Sequence, residues 1–249
     1  MAEKPKIRFD LDVVPVFSIA EQWYCEKAVD LHYRHPEILF STPELAVGTT
    51  EHEFLASEAK ILTEQEISKI IRSGKAISLR ETPFKGTYRG VLIKGIPDYV
   101  NIKCRKALFL LDYKFSRYRR VFPSHRIQVD TYGFLLHRNK LDTEDLICGI
   151  AILPPNLSGQ MVTPEEITAL IKKPQSDMRR KKLDRIYFDS PGLYGELYSF
   201  SLSRARENLS WATDYWIKKR SPKPTTKARK CKACSFNAAK LCNSALVPA

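Results

Sequence analysis

Two aspartates and a lysine near the middle of the chain are the side chains best suited to chemistry. Asp98 ends a predicted strand, and Asp112 and Lys114 lie two residues apart in the next one. Because strand side chains alternate between faces, Asp112 and Lys114 share a face, and a neighbouring strand can place Asp98 beside them. Two carboxylates with a lysine suit a hard divalent cation and an activated water. Surface charge is the simpler interpretation, but Asp112 interrupts an apolar run, where an unpaired charge is costly.

Three further residues could complete such a site. His52, in a helix predicted after Pro43, is a candidate third metal ligand, although a single histidine is more often structural or exposed. Gln128 and Tyr132 lie four residues apart, and therefore on one face of the helix predicted for 123–136. From that face they could reach a phosphate or hold the lysine, although taken alone they are ordinary helix-surface residues.

The chain has six cysteines, at Cys25, Cys104, Cys148, Cys231, Cys234 and Cys242. In an intracellular chain, a Cys-x-x-Cys pair with a third cysteine close by favours a metal or cluster over a disulfide. The three C-terminal cysteines have no fourth partner nearby, so the distant Cys25 is the best candidate for it. Four thiolates suit both zinc and an iron–sulfur cluster, and the spacing does not distinguish them. Cys104 and Cys148 are expected to be buried, small apolar residues.

The composition favours a basic intracellular protein. The 249 residues carry a formal net charge of +13, and the sequence pI is near 9.5. Such an excess favours a polyanionic partner, because phosphate contacts release counterions, although a solvated basic surface has the same composition. No apolar run approaches the roughly 20 residues of a membrane span, and no secretory signal is evident. We therefore expect a soluble cytoplasmic protein without a membrane partner.

The segment 114–126 interleaves basic and aromatic residues, as expected of a path for single-stranded nucleic acid. Arginines can contact phosphates while aromatic rings stack on unpaired bases. A charged loop whose aromatic residues belong to the core is the alternative. The candidate DNA-binding residues are Arg117, Tyr118, Arg119, Arg120 and Arg126.

Hydrophobic periodicity predicts an α/β chain with a central sheet. Strands are predicted at 76–81, 89–96, 107–115 and 147–153, and helices at 18–34, 64–72, 123–136, 164–172 and 203–218. Ser18 and Glu21 resemble a capping box at the start of the first helix. We expect a single domain, 1–249, made of an N-terminal helical segment (1–45), a candidate catalytic core (46–154), a helical region (155–217) and a cysteine segment (218–249).

In chain order, His52, Gly95-Ile96-Pro97-Asp98, Asp112-Tyr113-Lys114 and Gln128-x-x-x-Tyr132 resemble the motifs of the RecB-like branch of the PD-(D/E)xK nuclease superfamily. The resemblance implies a restriction-endonuclease-like (RecB-type) α/β fold, with a mixed sheet flanked by helices, and metal-dependent cleavage of phosphodiester bonds. It implies that Mg²⁺ or Mn²⁺ binds to His52, Asp98, Asp112 and the Tyr113 carbonyl. Lys114 would orient or activate the water, and Gln128 and Tyr132 would support the substrate end of the site.

The cysteines extend the resemblance. One upstream cysteine and three after the nuclease motifs resemble the arrangement that holds a structural [4Fe–4S] cluster in the CRISPR-associated RecB-like exonucleases. This implies a cluster on Cys25, Cys231, Cys234 and Cys242, exonuclease activity on single-stranded DNA ends, and CRISPR spacer acquisition with the integrase complex. The stretch 155–230 is longer than in compact members, so a viral or repair nuclease stays open. A non-catalytic or partner-dependent nucleic-acid-binding protein with a four-cysteine zinc or iron–sulfur site is the alternative.

Overall fold

The computed structural model describes residues 6–38, 69, 74–154 and 164–248. Its strands are β1 (Val14–Pro15), β2 (Ile77–Arg80), β3 (Phe84–Tyr88), β4 (Val91–Gly95), β5 (Tyr99–Lys103), β6 (Lys106–Phe115), β7 (Ile147–Leu153), β8 (Arg185–Ser190) and β9 (Leu193–Ser199). Its helices are α1 (Val16–Arg34), α2 (Pro123–Arg138), α3 (Pro164–Lys181), α4 (Leu202–Trp216), α5 (Ala228–Lys232) and α6 (Ser235–Ala238). Within these ranges, no helix has the length and hydropathy needed to cross a membrane.

Two mixed sheets give the chain its α/β fold. The larger sheet has the strand order β2-β5-β6-β7-β9-β8, in which β6 and β7 are parallel and the other pairs are antiparallel. The smaller sheet has the order β1-β4-β3, with β1 parallel to β4. A parallel pair needs a long crossover connection, and α2 lies in the one between β6 and β7. The predicted α/β class is therefore confirmed.

Strands β6 and β7 are covered on both faces, which explains why their sequences are almost continuously apolar. Leu110 and Ile150 belong to a core cluster that includes residues of α1, α2 and α4. Leu111 and Ala151, on the opposite face, belong to a second cluster that includes residues of α3. Because Asp112 alternates with Leu111 along β6, its carboxylate faces the α2 side of the sheet.

Helix α1 differs from the prediction at both its start and its middle. It begins at Val16 with Pro15 as the preceding cap residue, and the Ser18 hydroxyl lies 2.8 Å from the Tyr33 hydroxyl. The predicted capping box is therefore wrong, since proline before the first turn already sets a backbone suited to helix entry. Cys25 has extended backbone angles, with φ −165° and ψ 109°, and so interrupts α1 between two helical halves.

The prediction of a helical region at 155–217 is incomplete, because this region also contains β8 and β9. These strands form an antiparallel hairpin around Pro191-Gly192, where Gly192 has a φ of +75°. Glycine with left-handed φ after proline is typical of a tight turn. The chain therefore forms a hairpin here, although the surrounding region was predicted to be helical. The helices predicted after Pro43 and for 64–72 lie almost wholly outside the described residues.

Candidate functional site

Strand pairing brings Asp98 and Asp112 together. β5 and β6 pair with Tyr99 opposite Leu111, so Asp98, the residue before β5, lies opposite Asp112. Asp98 Oδ2 accepts a hydrogen bond of 2.5 Å from the backbone N–H of Tyr113. Both aspartates are buried, with 6% of Asp98 and 1% of Asp112 exposed. Two carboxylates at this depth are costly to ionise unless a cation compensates them.

Lys114 is a cation that lies beside these carboxylates. It shares the α2-facing side of β6 with Asp112, and its Nζ lies 2.6 Å from Asp112 Oδ2. This ion pair is the polar contact of the buried Asp112 Oδ2 among the described residues. A buried oxygen in this state can accept a further donor or a cation.

The charges of the site act strongly on each other. Burial raises the pKa of Asp98 well above its ordinary value, and repulsion from Asp112 adds to the rise, whereas the attraction of Lys114 opposes it. Burial lowers the pKa of Lys114, but attraction to Asp112 and Asp98 outweighs burial, so the net pKa is raised. Lys114 is consequently a cation at neutral pH, and the carboxylates hold it in place.

Two glutamates near Lys114 are not among the predicted site residues. Burial raises the pKa of Glu81, which follows β2, to about 7, and repulsion from Asp112 contributes. Burial also raises the pKa of Glu21, on α1, to about 7, while Lys114 and Lys230 oppose the rise. Glu21 therefore lies within electrostatic reach of both the aspartate site and the C-terminal segment. Its position in an apparent capping box pointed to a different role, and Glu81 belongs to no spacing pattern.

Helix α2 places polar side chains over the carboxylates. Gln128 Nε2 donates to Asp112 Oδ1 at 3.5 Å and to the Tyr132 hydroxyl at 3.0 Å, so α2 orients the Asp112 carboxylate. Burial raises the pKa of Tyr132 well above its ordinary value, and its hydroxyl stays neutral. Burial and the charge of Lys114 lower the pKa of His125 to about 3, so its imidazole is neutral as well. His125 was not predicted, because it shares no spacing with the motif residues.

The donor set at the aspartates fits a hard divalent cation. Asp98 and Asp112 provide buried carboxylate oxygens, the ligands that Mg²⁺ prefers, and a cation would relieve the repulsion between them. Among the described residues, no group of three or more His, Cys, Asp or Glu side chains is arranged to hold a metal ion. The predicted ligand His52 lies outside the described residues, and the predicted contribution of Tyr113 is its backbone carbonyl.

The predicted DNA-binding residues lie in the connection from β6 and at the start of α2. Arg119 pairs with Asp189 on β8, and Arg126 makes hydrogen bonds of 2.5 and 2.7 Å with the buried Glu196 on β9. The buried carboxylate of Glu196 holds Arg126 against β9 and reduces its freedom to contact phosphates, whereas the Arg119–Asp189 pair is exposed to solvent and holds Arg119 only weakly. The other three predicted residues are exposed to solvent: Arg117, Tyr118 and Arg120.

The four predicted cluster cysteines line one pocket. Cys25 comes from the break in α1, and the others come from the segment that contains α5 and α6: Cys231, Cys234 and Cys242. Phe236 of α6 packs against Ala28 and Leu31 of α1 beside them. Every cysteine of the chain is described, and each is a free thiol. Four thiols are the donor types of an iron–sulfur cluster and also of zinc, although the side chains of these four described cysteines are not arranged as a formed metal site.

Lys230 connects this cysteine pocket to the break in α1. Its Nζ donates to the Tyr24 carbonyl oxygen at 2.7 Å and lies 4.3 Å from the centroid of the Tyr24 ring. Because cations stabilise the carbonyl end of a helix, Lys230 stabilises the end of the first half of α1, next to Cys25. The residue before Cys231 thus helps to keep the α1 cysteine at the pocket.

Comparison with protein-family models and with curated proteins finds no match for the chain. Among solved structures, the crystal structure of SSO0001 is similar, with a TM-score of 0.51 and 14% sequence identity. The similarity covers 95% of this chain and 89% of the other chain. At this level of identity, the similarity concerns the α/β fold alone.

Proposed function

We propose that the chain is a metal-dependent deoxyribonuclease that hydrolyses phosphodiester bonds at the ends of single-stranded DNA. The observation that carries this proposal is the meeting of Asp98, Asp112 and Lys114 in one buried site. Charged side chains are rarely buried unless they are paired or bind a cation, so simple surface charge does not account for this group. Two carboxylates and a lysine are a suitable set for metal-assisted hydrolysis of a phosphodiester.

A RecB-type nuclease core is part of the same proposal. Its support is the position of the three motifs that lie in the described residues: Asp98 between β4 and β5, Asp112 and Lys114 on β6, and Gln128 and Tyr132 on the helix that follows. These elements adjoin one another in the six-stranded sheet and on its α2 face. The similarity to SSO0001 supports the α/β fold without bearing on the activity.

Each residue has a role in the proposed reaction. Asp98 and Asp112 would hold Mg²⁺ or Mn²⁺ together with His52 and the Tyr113 carbonyl. The chemistry that such a cation supplies is polarisation of the phosphate and of the attacking water. Lys114, as a cation held by the carboxylates, offsets the negative charge that develops on the phosphate.

DNA as the substrate is supported by charge and by the loop after β6. The net charge of +13 favours a polyanion, and the loop leads directly away from Lys114. Arg117 and Arg120 can contact phosphates there, while the exposed ring of Tyr118 can stack on an unpaired base. A base inside a duplex is covered by its neighbours, so this combination favours a single strand.

Cleavage of end-labelled DNA tests the proposal. Single-stranded DNA labelled at its 5′ or 3′ end is incubated with Mn²⁺, Mg²⁺ or EDTA, and the label pattern reports polarity. We expect metal-dependent cleavage by the wild type and a rate lower by about 100-fold or more in Lys114→Ala. Lys103→Ala, which removes an exposed lysine on β5, is the matched control and should cleave normally.

Three results would contradict the proposal. Salt-sensitive DNA binding without cleavage at any metal concentration would favour a non-catalytic nucleic-acid-binding protein. Equal cleavage by Lys114→Ala and wild type would place the chemistry elsewhere. Cleavage only after addition of a partner protein would favour the partner-dependent alternative.

We propose further that the cysteine pocket holds a structural [4Fe–4S] cluster on Cys25, Cys231, Cys234 and Cys242. Support comes from four free thiols that line one pocket, although Cys25 lies more than two hundred residues before the other three in the chain. Burial raises the pKa of Cys25, which disfavours its thiolate in the absence of a bound cation. In this position a cluster would connect α1 to the C-terminal segment, a long closure that is entropically costly without a strong link.

Metal analysis of protein purified without oxygen tests the cluster. We expect a brown protein that contains iron and sulfide, as a thiolate-held cluster requires. Cys234→Ser should lose the iron, whereas Cys104→Ser, which changes an exposed cysteine outside the pocket, should retain it. A colourless protein with one bound zinc would contradict the iron–sulfur assignment and would leave the nuclease proposal unaffected.

We place this activity in CRISPR spacer acquisition, with the integrase complex as partner, or in DNA repair. The support is the combination of nuclease motifs and cysteines in one chain. Trimming of DNA fragments that depends on a co-purifying integrase complex would favour spacer acquisition. The same activity without such a complex would favour repair.

A further inference from the structure

An open apolar pocket lies next to the aspartate site. It forms where the start of α1 meets the end of β4, and its lining includes Val16, Phe17, Lys94, Ile96 and Tyr132. Its cavity volume is about 280 Å³, near the lower limit of the roughly 300–1,000 Å³ that is common for small-ligand sites. Among the described residues that line the pocket, Tyr132 is the one that also belongs to the aspartate site.

Two large apolar side chains stand at this pocket with much of their surface exposed. Phe17 is 42% exposed and Ile96 is 43% exposed. β1 and β4 are parallel, and Pro15 lies opposite Lys94. Phe17 and Ile96 each follow two residues later, and both line the pocket. Single exposed apolar residues need no explanation, but two that line one pocket indicate a surface that binds an apolar partner.

The pocket shares a wall with the aspartate site. An added Cβ at Gly95 would lie 2.5 Å from Tyr132 Cε1, so only the absence of a side chain there lets the tyrosine ring lie against β4. The hydroxyl of the same ring accepts from Gln128, which also donates to Asp112. Tyr132 therefore lines the pocket and is connected to the Asp112 carboxylate through Gln128.

The chemistry of the lining suits a nucleobase. Phe17 offers a ring for stacking and Ile96 a flat aliphatic contact, while Lys94 is the charged residue among the described residues that line the pocket. A positive charge beside an apolar surface complements a base that carries a phosphate. An apolar side chain of a peptide carries no charge for Lys94 to contact, and a base inside a duplex has both faces covered by its neighbours.

We infer that the pocket of Phe17, Lys94 and Ile96 binds an unpaired base of the DNA strand beside the bond to be cut. The base stacks on Phe17 against Ile96, and Lys94 contacts its phosphate. This contact selects single-stranded over duplex DNA, because an unstacked base is required. The inference rests on the proposed nuclease function and names the substrate feature that the same site reads.

Binding to oligonucleotides with and without bases tests the pocket. Fluorescence anisotropy in EDTA compares an oligothymidylate with an abasic strand of the same length, so no cleavage occurs. Phe17→Ala should bind the base-bearing strand about tenfold more weakly than wild type and should bind the abasic strand equally well. Phe17→Trp should restore the preference. Tyr187→Ala, which removes a ring that is exposed on β8, is the matched control and should change neither affinity.

Three results would overturn the inference. Phe17→Ala could leave both affinities unchanged, or it could weaken binding of both strands equally. It could also change the sedimentation behaviour of the protein without changing DNA affinity, which would make the pocket a protein-docking surface. Because binding is measured in EDTA, its outcome does not depend on cleavage. Loss of the base preference would contradict the inference without contradicting the proposed nuclease activity. Absence of cleavage would contradict the proposed nuclease activity without removing the base preference. Unchanged urea unfolding of Phe17→Ala shows that the variant is folded.

Discussion

Replacing Glu26 by alanine removes the main polar anchor between α1 and the segment that leads to the C-terminal cysteines. The Glu26 carboxylate is fully buried and pairs with Arg220, whose Nη2 donates to Oε1 at 2.8 Å. The backbone N–H of Lys223 donates to Oε2 at 2.8 Å, and Gln22 Nε2 donates to Oε1 at 2.5 Å. One carboxylate thus holds a guanidinium, a backbone amide and a side-chain amide from two distant parts of the chain.

The expected cost is large because Glu26→Ala leaves these donors without their acceptor. Breaking a buried ion pair by removing one partner costs about 3–5 kcal/mol. A typical domain has a free energy of unfolding of about 5–15 kcal/mol, so the variant would lose a substantial part of its stability. Glu26→Gln keeps the shape and some hydrogen bonds but not the charge, and its loss should be smaller.

Urea unfolding followed by circular dichroism measures these differences. Glu207→Ala, which removes an exposed glutamate on α4, is the matched control and should unfold at the wild-type urea concentration. Iron content measured on the same samples should fall in Glu26→Ala, because Lys223 lies in the same segment as the three C-terminal cysteines and its backbone is held by Glu26. A Glu26→Ala variant as stable as Glu207→Ala would refute the assignment of this anchor.

Three further predictions concern pH and the arginines. Burial raises the pKa of Glu21 from 4.5 to about 7. Between these two pH values the folded state therefore binds more protons than the unfolded state. As pH rises from 4.5 to about 7, this group consequently makes the free energy of unfolding fall. Urea unfolding in EDTA from pH 5 to 8 should show a shallower fall for Glu21→Gln than for wild type, and parallel curves would contradict the assignment. Arg126→Ala leaves the buried Glu196 unpaired and should lower the free energy of unfolding by about 3–5 kcal/mol. Arg117→Ala should leave unfolding unchanged but should reduce the salt dependence of DNA binding by about one phosphate contact, whereas equal behaviour of the two variants in both assays would contradict their separate roles.

The sequence predicted the centre of the aspartate site because local periodicity determines it. A period of two places Asp112 and Lys114 on one face, and the β5–β6 register then brings Asp98 opposite. The predicted strand 147–153 coincides with β7, because a strand that is buried on both faces leaves a continuous apolar run. The i, i+4 spacing of Gln128 and Tyr132 likewise predicted that they share one face of a helix, and in the structure they form a hydrogen bond there.

Features that depend on tertiary contacts were not predictable in the same way. Glu21 approaches Lys114 only because α1 packs across the α2 side of the sheet, and no local pattern reports this packing. The break at Cys25 lies within a continuous helical pattern, and Lys230, more than two hundred residues later, stabilises it. Cys104, predicted to be buried, is exposed in a turn with a φ of +49°, whereas Cys148 is buried as predicted.

Whether the buried aspartates hold a cation is tested most directly by titrating Mn²⁺ into the DNA-free protein and measuring free Mn²⁺ by electron paramagnetic resonance. Asp112→Asn keeps the shape of the side chain but removes its charge, and it should weaken Mn²⁺ binding about tenfold or more. Asp12→Asn, which changes an exposed aspartate near the chain start, should bind Mn²⁺ as the wild type does. Equal Mn²⁺ affinity in Asp112→Asn and wild type would contradict a metal site at these carboxylates.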